Sequence, residues 1–321
     1  WALSLHGAVY SPADPRVLYL RSEHHVFRSA DGGATWNHAG RLMGGTGMVA
    51  DPADPQVVYA QGKLHDDFLT SVDDIRTTAN LVWMRSEDQA RSWQALRSGP
   101  HPWLADPGRG LLYATELSRF LASADHGRTW EDLGGPVGVG YEYGWQEARN
   151  DALGFLPFAA AVGRDPGALL LAWRHRSSPP GFAALAASRD GGHSWRATAL
   201  PRPMRELAAD YRQPGHLFGS TPDTIWHTID LGASWEPVSH GLSDRWARLS
   251  LATHPGAPQW LAAWDFADLW ISTDAGLTWG TKRPLPGALA GVRESYDWGR
   301  LGVLQNPSDP QAFLLRGLPR E

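Results

Sequence analysis

The octapeptide SADGGATW, at residues 29–36, is the dominant motif of the chain, which repeats it five more times. The common form is Ser/Thr-x-Asp-x-Gly-x-Ser/Thr-Trp, and Ala90 replaces the glycine in the second copy. The further copies are SEDQARSW at 86–93, SADHGRTW at 123–130, SRDGGHSW at 188–195, TIDLGASW at 228–235 and STDAGLTW at 272–279. Asp suits a tight turn because its carboxylate accepts backbone N–H bonds, and Gly suits a position with φ > 0. Each copy therefore predicts a hairpin turn closed by a tryptophan.

The spacing of the copies indicates a repeat architecture. Their tryptophans are 57, 37, 65, 40 and 44 residues apart. Units of about 40–50 residues with four short strands each are typical of β-propeller blades. An Asp-Pro turn phrase followed by an apolar strand precedes the octapeptide, as in DPADPQVVYA from Asp51. In the first unit we expect the four strands near residues 7–10, 16–20, 26–29 and 35–38.

These observations predict an all-β chain whose residues 1–321 form a single β-propeller domain. After the sixth octapeptide, residues 301–305 and 311–316 read as two more strands. We expect seven blades, the last one incomplete and completed by residues 1–5 as its outer strand. A six-bladed propeller is the alternative.

The octapeptide resembles the Asp box, or BNR repeat, of sialidase-like, xyloglucanase-like and sortilin-like propellers, and the resemblance covers about Leu5 to Leu318. In that superfamily the boxes lie away from the mouth of the central channel, so the resemblance implies a structural role for the six Asp and six Trp residues of the boxes. They are Asp31, Trp36, Asp88, Trp93, Asp125, Trp130, Asp190, Trp195, Asp230, Trp235, Asp274 and Trp279. The functional site is expected where other loops converge around the channel.

Composition excludes several classes of function. The formal net charge of −5 gives no indication of a nucleic acid or anionic-membrane partner, and no apolar run is long enough to span a bilayer. The absence of Cys excludes disulfides and thiolate chemistry. The chain begins at Trp1 rather than Met, so we expect that an upstream segment was trimmed, and we favour an exported protein over a cytoplasmic one.

The phrase YLRSEHHVFRS at 19–29 supplies the first catalytic candidate. It resembles the xyloglucanase phrase Tyr-x-Arg-Thr-Asp-x-Gly-Gly-x-Tyr-Arg, whose Asp is catalytic, and Glu23 falls at that Asp in a loop one residue shorter. Asp66, in the acidic insertion at 62–80, and Asp265 are candidate partners. Glycoside hydrolysis needs two such carboxylates, one as general acid and one as base or nucleophile.

Loops that depart from the repeat supply candidate ligand-binding residues. Aromatic faces stack on sugar rings, and Arg, His and carboxylates hold hydroxyl groups, so this mixture suits a polar ligand. The candidates are His24, His25, His65, Glu116, Arg119, Tyr143, Trp145, Arg174, His175, Trp264, Tyr296 and Trp298. A set of His24, His25, His65 and His175 could bind Zn or Fe, but no ligand-spacing motif is present. We therefore expect neither a metal nor a cofactor.

Two functional hypotheses remain open. The first is a glycoside hydrolase-like enzyme or carbohydrate-binding protein acting at the channel mouth. A strict sialidase is disfavoured because its Phe-Arg-Ile-Pro phrase is absent. The second is a non-catalytic propeller that binds a protein or a glycan, as sortilin-like receptors and photosystem assembly factors do. An unrelated enzyme such as a lyase or a cyclase, using a His or Tyr base, is a third possibility.

Overall fold

The computed structural model describes most of the repeat. The described residues are 5–14, 16–22, 24–43, 47–62, 82–96, 99–116, 119–135, 155–162, 167–175, 184–198, 206–210, 212–213, 215–221, 224–240, 250–253, 259–264, 268–280, 283–284, 302–306 and 309–316. Within these ranges the regular secondary structure consists of β-strands, which confirms the predicted all-β fold. No described segment is a helix with the length and apolar character that crossing a membrane requires.

The strands form seven antiparallel sheets, each following the order of the chain, so that every strand pairs with its sequence neighbour. Sheet 1 contains β1 (Leu5–Tyr10), β2 (Leu18–Ser22), β3 (His25–Ser29) and β4 (Asn37–Arg41). Sheet 2 contains β5 (Met48–Ala50), β6 (Val58–Gly62), β7 (Val82–Ser86) and β8 (Gln94–Leu96). Sheet 3 contains β9 (Pro102–Asp106), β10 (Leu111–Glu116), β11 (Arg119–Ser123) and β12 (Glu131–Asp132). Sheet 4 contains β13 (Phe155–Val162), β14 (Leu169–His175), β15 (Ala184–Ser188) and β16 (Arg196–Thr198).

The remaining sheets continue the pattern and end with an incomplete one. Sheet 5 contains β17 (Glu206–Ala209), β18 (Leu217–Ser220), β19 (Thr224–Thr228) and β20 (Glu236–His240). Sheet 6 contains β21 (Ser250–Thr253), β22 (Leu261–Trp264), β23 (Asp268–Ser272) and β24 (Arg283–Pro284), and sheet 7 contains β25 (Gly302–Asn306) and β26 (Asp309–Arg316). The two strands of sheet 7 match the predicted pair at 301–305 and 311–316. Leu5 begins β1 and pairs with Ser22, so it belongs to the first sheet rather than to a closing strand, while residues 1–4 lie outside the described ranges.

Two compact units divide the chain, each with its own packed cores. Unit 1 comprises 1–114, 123–130 and 287–321, and unit 2 comprises 115–122 and 131–286. In unit 1, Tyr19 and Val26 of sheet 1 pack with Val58 and Met84 of sheet 2. The core residues of unit 2 that sheets 4 and 5 share include Leu170, Leu185 and Leu217. That residues 1–321 form one domain stays a prediction.

All six octapeptides form the same turn between the third and fourth strands of a sheet, here called a box turn. The hydroxyl of the first residue donates to the Asp Oδ1 at 2.7–2.8 Å and accepts the fifth residue's N–H at 2.8 Å. The Asp then accepts the amide and the hydroxyl of the seventh residue at 2.5–2.9 Å. The turn is therefore closed by hydrogen bonds within eight residues of sequence.

The fourth and fifth positions of every box turn adopt positive φ, which explains the preference for glycine there. Gly32 and Gly33 have φ of 73° and 94°. The described residues with positive φ that are not glycine are Gln89, Ala90, His126, Leu231 and Ala275, all in box turns. Such a conformation costs a non-glycine residue about 1–2 kcal/mol. The box hydrogen bonds hold the turn in this shape regardless of the side chain.

Five of the box tryptophans pack against the preceding sheet. Trp93 joins the core shared by sheets 1 and 2, and Trp130 packs with Val57 and Tyr59 of sheet 2. Trp195 meets the ring of Phe120 edge-on, with centroids 5.2 Å apart. The cores at sheets 4 and 5 and at sheets 5 and 6 likewise contain Trp235 and Trp279. Box turns are thus framework elements of the repeat.

Candidate functional site

The three predicted catalytic carboxylates, Glu23, Asp66 and Asp265, all lie outside the described residues. The same holds for five of the ligand candidates, which are His65, Tyr143, Trp145, Tyr296 and Trp298. The sequence predicts Arg174, His175 and Trp264 in loops, whereas the structure has Arg174 and His175 as the last residues of β14 and Trp264 as the last residue of β22.

Glu116 and Arg119 are brought together by the short connection between β10 and β11. Their side chains form an ion pair, and Arg119 Nη1 also lies 3.5 Å from Asp132 Oδ2 on β12. All three side chains are exposed by more than a third, so the ion pairs contribute little stability. Glu116 and Arg119 thus expose a negative and a positive charge to solvent on either side of the connection between β10 and β11.

His25 begins β3, and His24 directly precedes it. Nδ1 of His25 is 2.9 Å from Nε2 of His38 on β4, and both rings contact Phe27. Burial and the nearby His38 lower the pKa of His25. The backbone carbonyl of His24 accepts a bond from Leu42 N at 3.2 Å. The structure therefore places His25 in a pair with the outer strand of its own sheet.

The Tyr and Arg of the xyloglucanase-like phrase are framework residues in this chain. Tyr19 is fully buried, and its hydroxyl donates to Pro55 O at 2.8 Å. Arg21 is also fully buried, its Nη1 donates to Gln61 O, and burial lowers its pKa to about 10. Both side chains thus link sheet 1 to sheet 2. Packing therefore explains Tyr19 and Arg21 of the phrase at 19–29, and Glu23 stays a functional candidate from the sequence.

The sequence analysis missed a polar cluster in sheet 5, formed by Asp210, Arg212, His216 and His227, here called the Asp210 cluster. Asp210 lies directly after β17 and is fully buried. Arg212 Nε donates to both carboxylate oxygens at 2.9 and 3.0 Å, and its Nη2 donates to Oδ2 at 2.5 Å. Nε2 of His227 lies 2.9 Å from the same Oδ2, and Nδ1 of His216 lies 3.8 Å from it.

The electrostatics of the cluster follow from these contacts. Burial of Asp210 would raise its pKa, but the hydrogen bonds of His227 and Arg212 outweigh burial and hold the pKa far below its usual value. His216 has a lowered pKa because it is partly buried and faces His227. Its ring meets that of His227 edge-on at 5.3 Å. The cluster therefore combines an ionised carboxylate with two imidazoles whose nitrogens approach the same oxygen.

Equivalent turns in other sheets show which members of the cluster are unusual. Asp210 itself matches Asp51 of sheet 2, because each N–H bonds the carbonyl six residues on and each carboxylate caps turn amides. The residue that accepts this N–H bond is Val57 in sheet 2 but His216 in sheet 5. The residue before the box turn is Arg85 in sheet 2 but His227 in sheet 5. A residue-by-residue comparison of the repeats is the sequence signal that would have found both histidines.

No protein-family model and no curated protein matches this chain. Solved structures resemble it along nearly its whole length. The GH74 xyloglucanase of Xanthomonas campestris matches with a TM-score of 0.63 and 19% identity, over 99% of this chain and 51% of that one. This chain thus spans about half the length of that enzyme.

Two further similar structures are of YCF48. The protein from Cyanidioschyzon merolae matches with a TM-score of 0.60 and 14% identity, over 99% of this chain and 94% of that one. YCF48 bound to D1 peptide matches with a TM-score of 0.59 and 14% identity, over 99% of this chain and 90% of that one. The seven meander sheets and these similarities together define the fold as a β-propeller. At such identities they establish the fold and leave the function to the chemistry of the chain.

Proposed function

We propose that this protein is a non-catalytic Asp-box propeller that binds a polypeptide segment of a protein partner. The observation that carries the proposal is the extent of the match with YCF48, which covers at least 90% of both chains. One YCF48 structure is bound to a peptide. The xyloglucanase, by contrast, is matched over 51% of its length.

The local chemistry of the described loops agrees with binding of a charged, polar segment. Arg119 and Glu116 present both charges to solvent in the connection between second and third strands. A partner that supplies its own charges can replace the weak surface ion pair at little cost. Tyr19 and Arg21, the most specific part of the resemblance to xyloglucanases, have packing roles that need no substrate.

An array of charged and polar peptides, probed with the purified protein, tests the proposal. We expect a defined subset to bind, and Arg119→Glu to weaken the binding of its acidic members at least about tenfold through like-charge repulsion. Arg16→Glu is the matched control, because Arg16 is also exposed and paired with a carboxylate, Asp14, but lies in a turn between first and second strands. Absence of binding to every peptide, or equal losses in both variants, would contradict the proposal.

The second candidate is a glycoside hydrolase-like function, favoured by the phrase at 19–29 and by the TM-score of 0.63 to the xyloglucanase. Glu23 with Asp66 or Asp265 would supply the two carboxylates of such a reaction. Incubation with xyloglucan and related polysaccharides tests it by the release of reducing ends. Activity that is lost in Glu23→Gln and kept in Glu131→Gln, an exposed residue of β12, would favour hydrolysis over peptide binding.

A further inference from the structure

We propose that the Asp210 cluster is a binding site for a divalent transition-metal ion, with Zn²⁺ the best fit. Asp210 Oδ2, His216 Nδ1 and His227 Nε2 would be the protein ligands, and the three residues each offer one ligand atom within 4.8 Å of the other two. The proposal rests on the geometry of the cluster and is independent of the proposed binding of a polypeptide.

The donor set is the first argument. Imidazole nitrogens and a carboxylate oxygen suit Zn²⁺, and three protein ligands leave a position open for water or another ligand. Bonds of about 2.0–2.1 Å in a tetrahedral site place neighbouring ligand atoms about 3.3 Å apart. The oxygen-to-nitrogen distances of 2.9 and 3.8 Å lie on either side of that value. Rotation of the His216 ring, which is partly exposed, would complete the approach.

The second argument is that both histidines are departures from the repeat. Sheets 1 and 2 have Val17 and Val57 at the position of His216, and both valines are buried. Arg28 and Arg85 stand in those sheets where sheet 5 has His227. These two positions therefore take other residues elsewhere in the same chain, although Asp51 of sheet 2 has one imidazole partner, His126, whose Nδ1 lies 3.0 Å from Asp51 Oδ2. The joint presence of His216 and His227 beside one buried carboxylate is what sets the turn of sheet 5 apart from that of sheet 2, and it is this pair of imidazoles that suits a metal.

The third argument concerns the charge that already faces Asp210. In sheets 1 and 2 the arginine comes from the third strand, as Arg28 and Arg85. In sheet 5 the guanidinium beside Asp210 comes instead from Arg212 in the turn. Arg212 is one-third exposed, so it can leave Oδ2 for solvent while Oδ1 keeps its bond from the Arg212 backbone N–H at 3.0 Å. Metal binding would thus exchange one cation for another at Oδ2, and Arg212 would compete with the metal.

Calorimetric titration of ZnCl₂ into the metal-free full chain and four variants tests the site. We expect one site in the wild-type protein and an affinity at least about tenfold lower in His216→Val and His227→Arg, which restore the residues of sheet 2. Arg212→Gln should bind Zn²⁺ more tightly, because the competing cation is removed; a purely structural network would not produce this gain. His38→Ala, which alters the His25–His38 pair in sheet 1, should bind as the wild type does.

Two results of the titration would overturn the zinc proposal. Absence of Zn²⁺ binding by the wild-type protein would overturn the proposal, and so would an affinity unchanged in His216→Val. Should His227→Arg fail to fold, His216→Val still decides, because valine is the residue that two other sheets carry at this position. Loss of peptide binding in Arg119→Glu with normal Zn²⁺ binding would show that the two proposals concern different sites.

Discussion

The first turns of sheet 3 and sheet 5 both bury an aspartate completely, yet the two carboxylates have opposite pKa shifts. Burial raises the pKa of Asp106, which accepts the backbone amides of Gly108 and Arg109. Asp210 is equally buried, but the hydrogen bonds of His227 and Arg212 lower its pKa. The turn shape therefore requires only a capping carboxylate. What distinguishes the turn of Asp210 from that of Asp106 is the additional pairing with Arg212 and two imidazoles.

The largest effect is expected from Asp210→Asn, because it leaves Arg212 without its buried counter-charge. Arg212 is one-third exposed and regains solvation, so the lost charge-assisted hydrogen bonds from Arg212 and His227 should cost about 2 kcal/mol of the free energy of unfolding. Urea denaturation at pH 7 measures the loss. A change under about 1 kcal/mol would mean that the partners of Asp210 rearrange without cost, and the contrast with Asp106 would then have no energetic basis.

A smaller loss of stability, shared among several box turns, is expected at acid pH. Asp31, Asp125, Asp190 and Asp274 each have a pKa of about 2, below the ordinary 3.8. For Asp31, Asp125 and Asp274 the largest cause is the hydroxyl bond from the seventh box residue; for Asp190 burial opposes the shift and the hydrogen bonds outweigh it.

The sign of the pH dependence follows from the lowered pKa. A carboxylate whose folded pKa is lowered contributes stability above its unfolded pKa and loses this contribution as pH falls through the folded value. The melting temperature should therefore fall between about pH 4 and pH 2. Melting curves between pH 7 and pH 2 test this, and a melting temperature that rises below pH 4 would contradict it.

A small gain in stability is expected from Gln89→Gly. Gln89 has φ of 68° at the fourth position of its box turn, and glycine adopts this conformation without strain. We expect a gain of about 0.5–1 kcal/mol in the free energy of unfolding. Leu231→Gly is the matched control, because Leu231 has φ of 57° at the same position but is buried in the core of sheets 4 and 5. Its loss of apolar burial should outweigh the relief, and stabilisation by both variants would refute this account.

The smallest effect is expected from Asp106→Asn. The amide oxygen can still cap Gly108 and Arg109, and a buried negative charge is removed. Stability at pH 7 should stay the same or rise slightly, in contrast to Asp210→Asn. Thermal melting of the two variants in parallel measures the difference, and equal destabilisation would show that both carboxylates have the same role.

The box turns could be predicted from sequence because their hydrogen bonds close within eight residues, as those of Asp31 with Ser29 and Thr35 do. The strand order followed from the same repeat, and β25 and β26 were predicted within a few residues. Of the predicted closing strand at 1–5, Leu5 joins the first sheet, because its pairing with Ser22 depends on strand register, which the repeat does not specify for a terminal residue.

The Asp210 cluster could not be predicted from local motifs. Its members come from a turn, from the residue before β18 and from β19, so their proximity depends on strand register. Phe218 pairs with His227 across β18 and β19, which carries that imidazole to the turn. Spacing rules for metal ligands apply within one element and miss such a set. Comparison between repeats, rather than a motif search, reveals it.

The central claim is the proposal that two imidazoles beside Asp210 make a metal site of a turn whose counterpart in sheet 2 has a single imidazole, His126, beside Asp51. X-ray absorption at the zinc edge of the Zn²⁺-loaded full chain tests it most directly. The account predicts two imidazole nitrogens and a carboxylate oxygen at about 2.0–2.2 Å, with the imidazole signal reduced in His216→Val. A shell of oxygen atoms alone, or a spectrum unchanged in His216→Val, would contradict it.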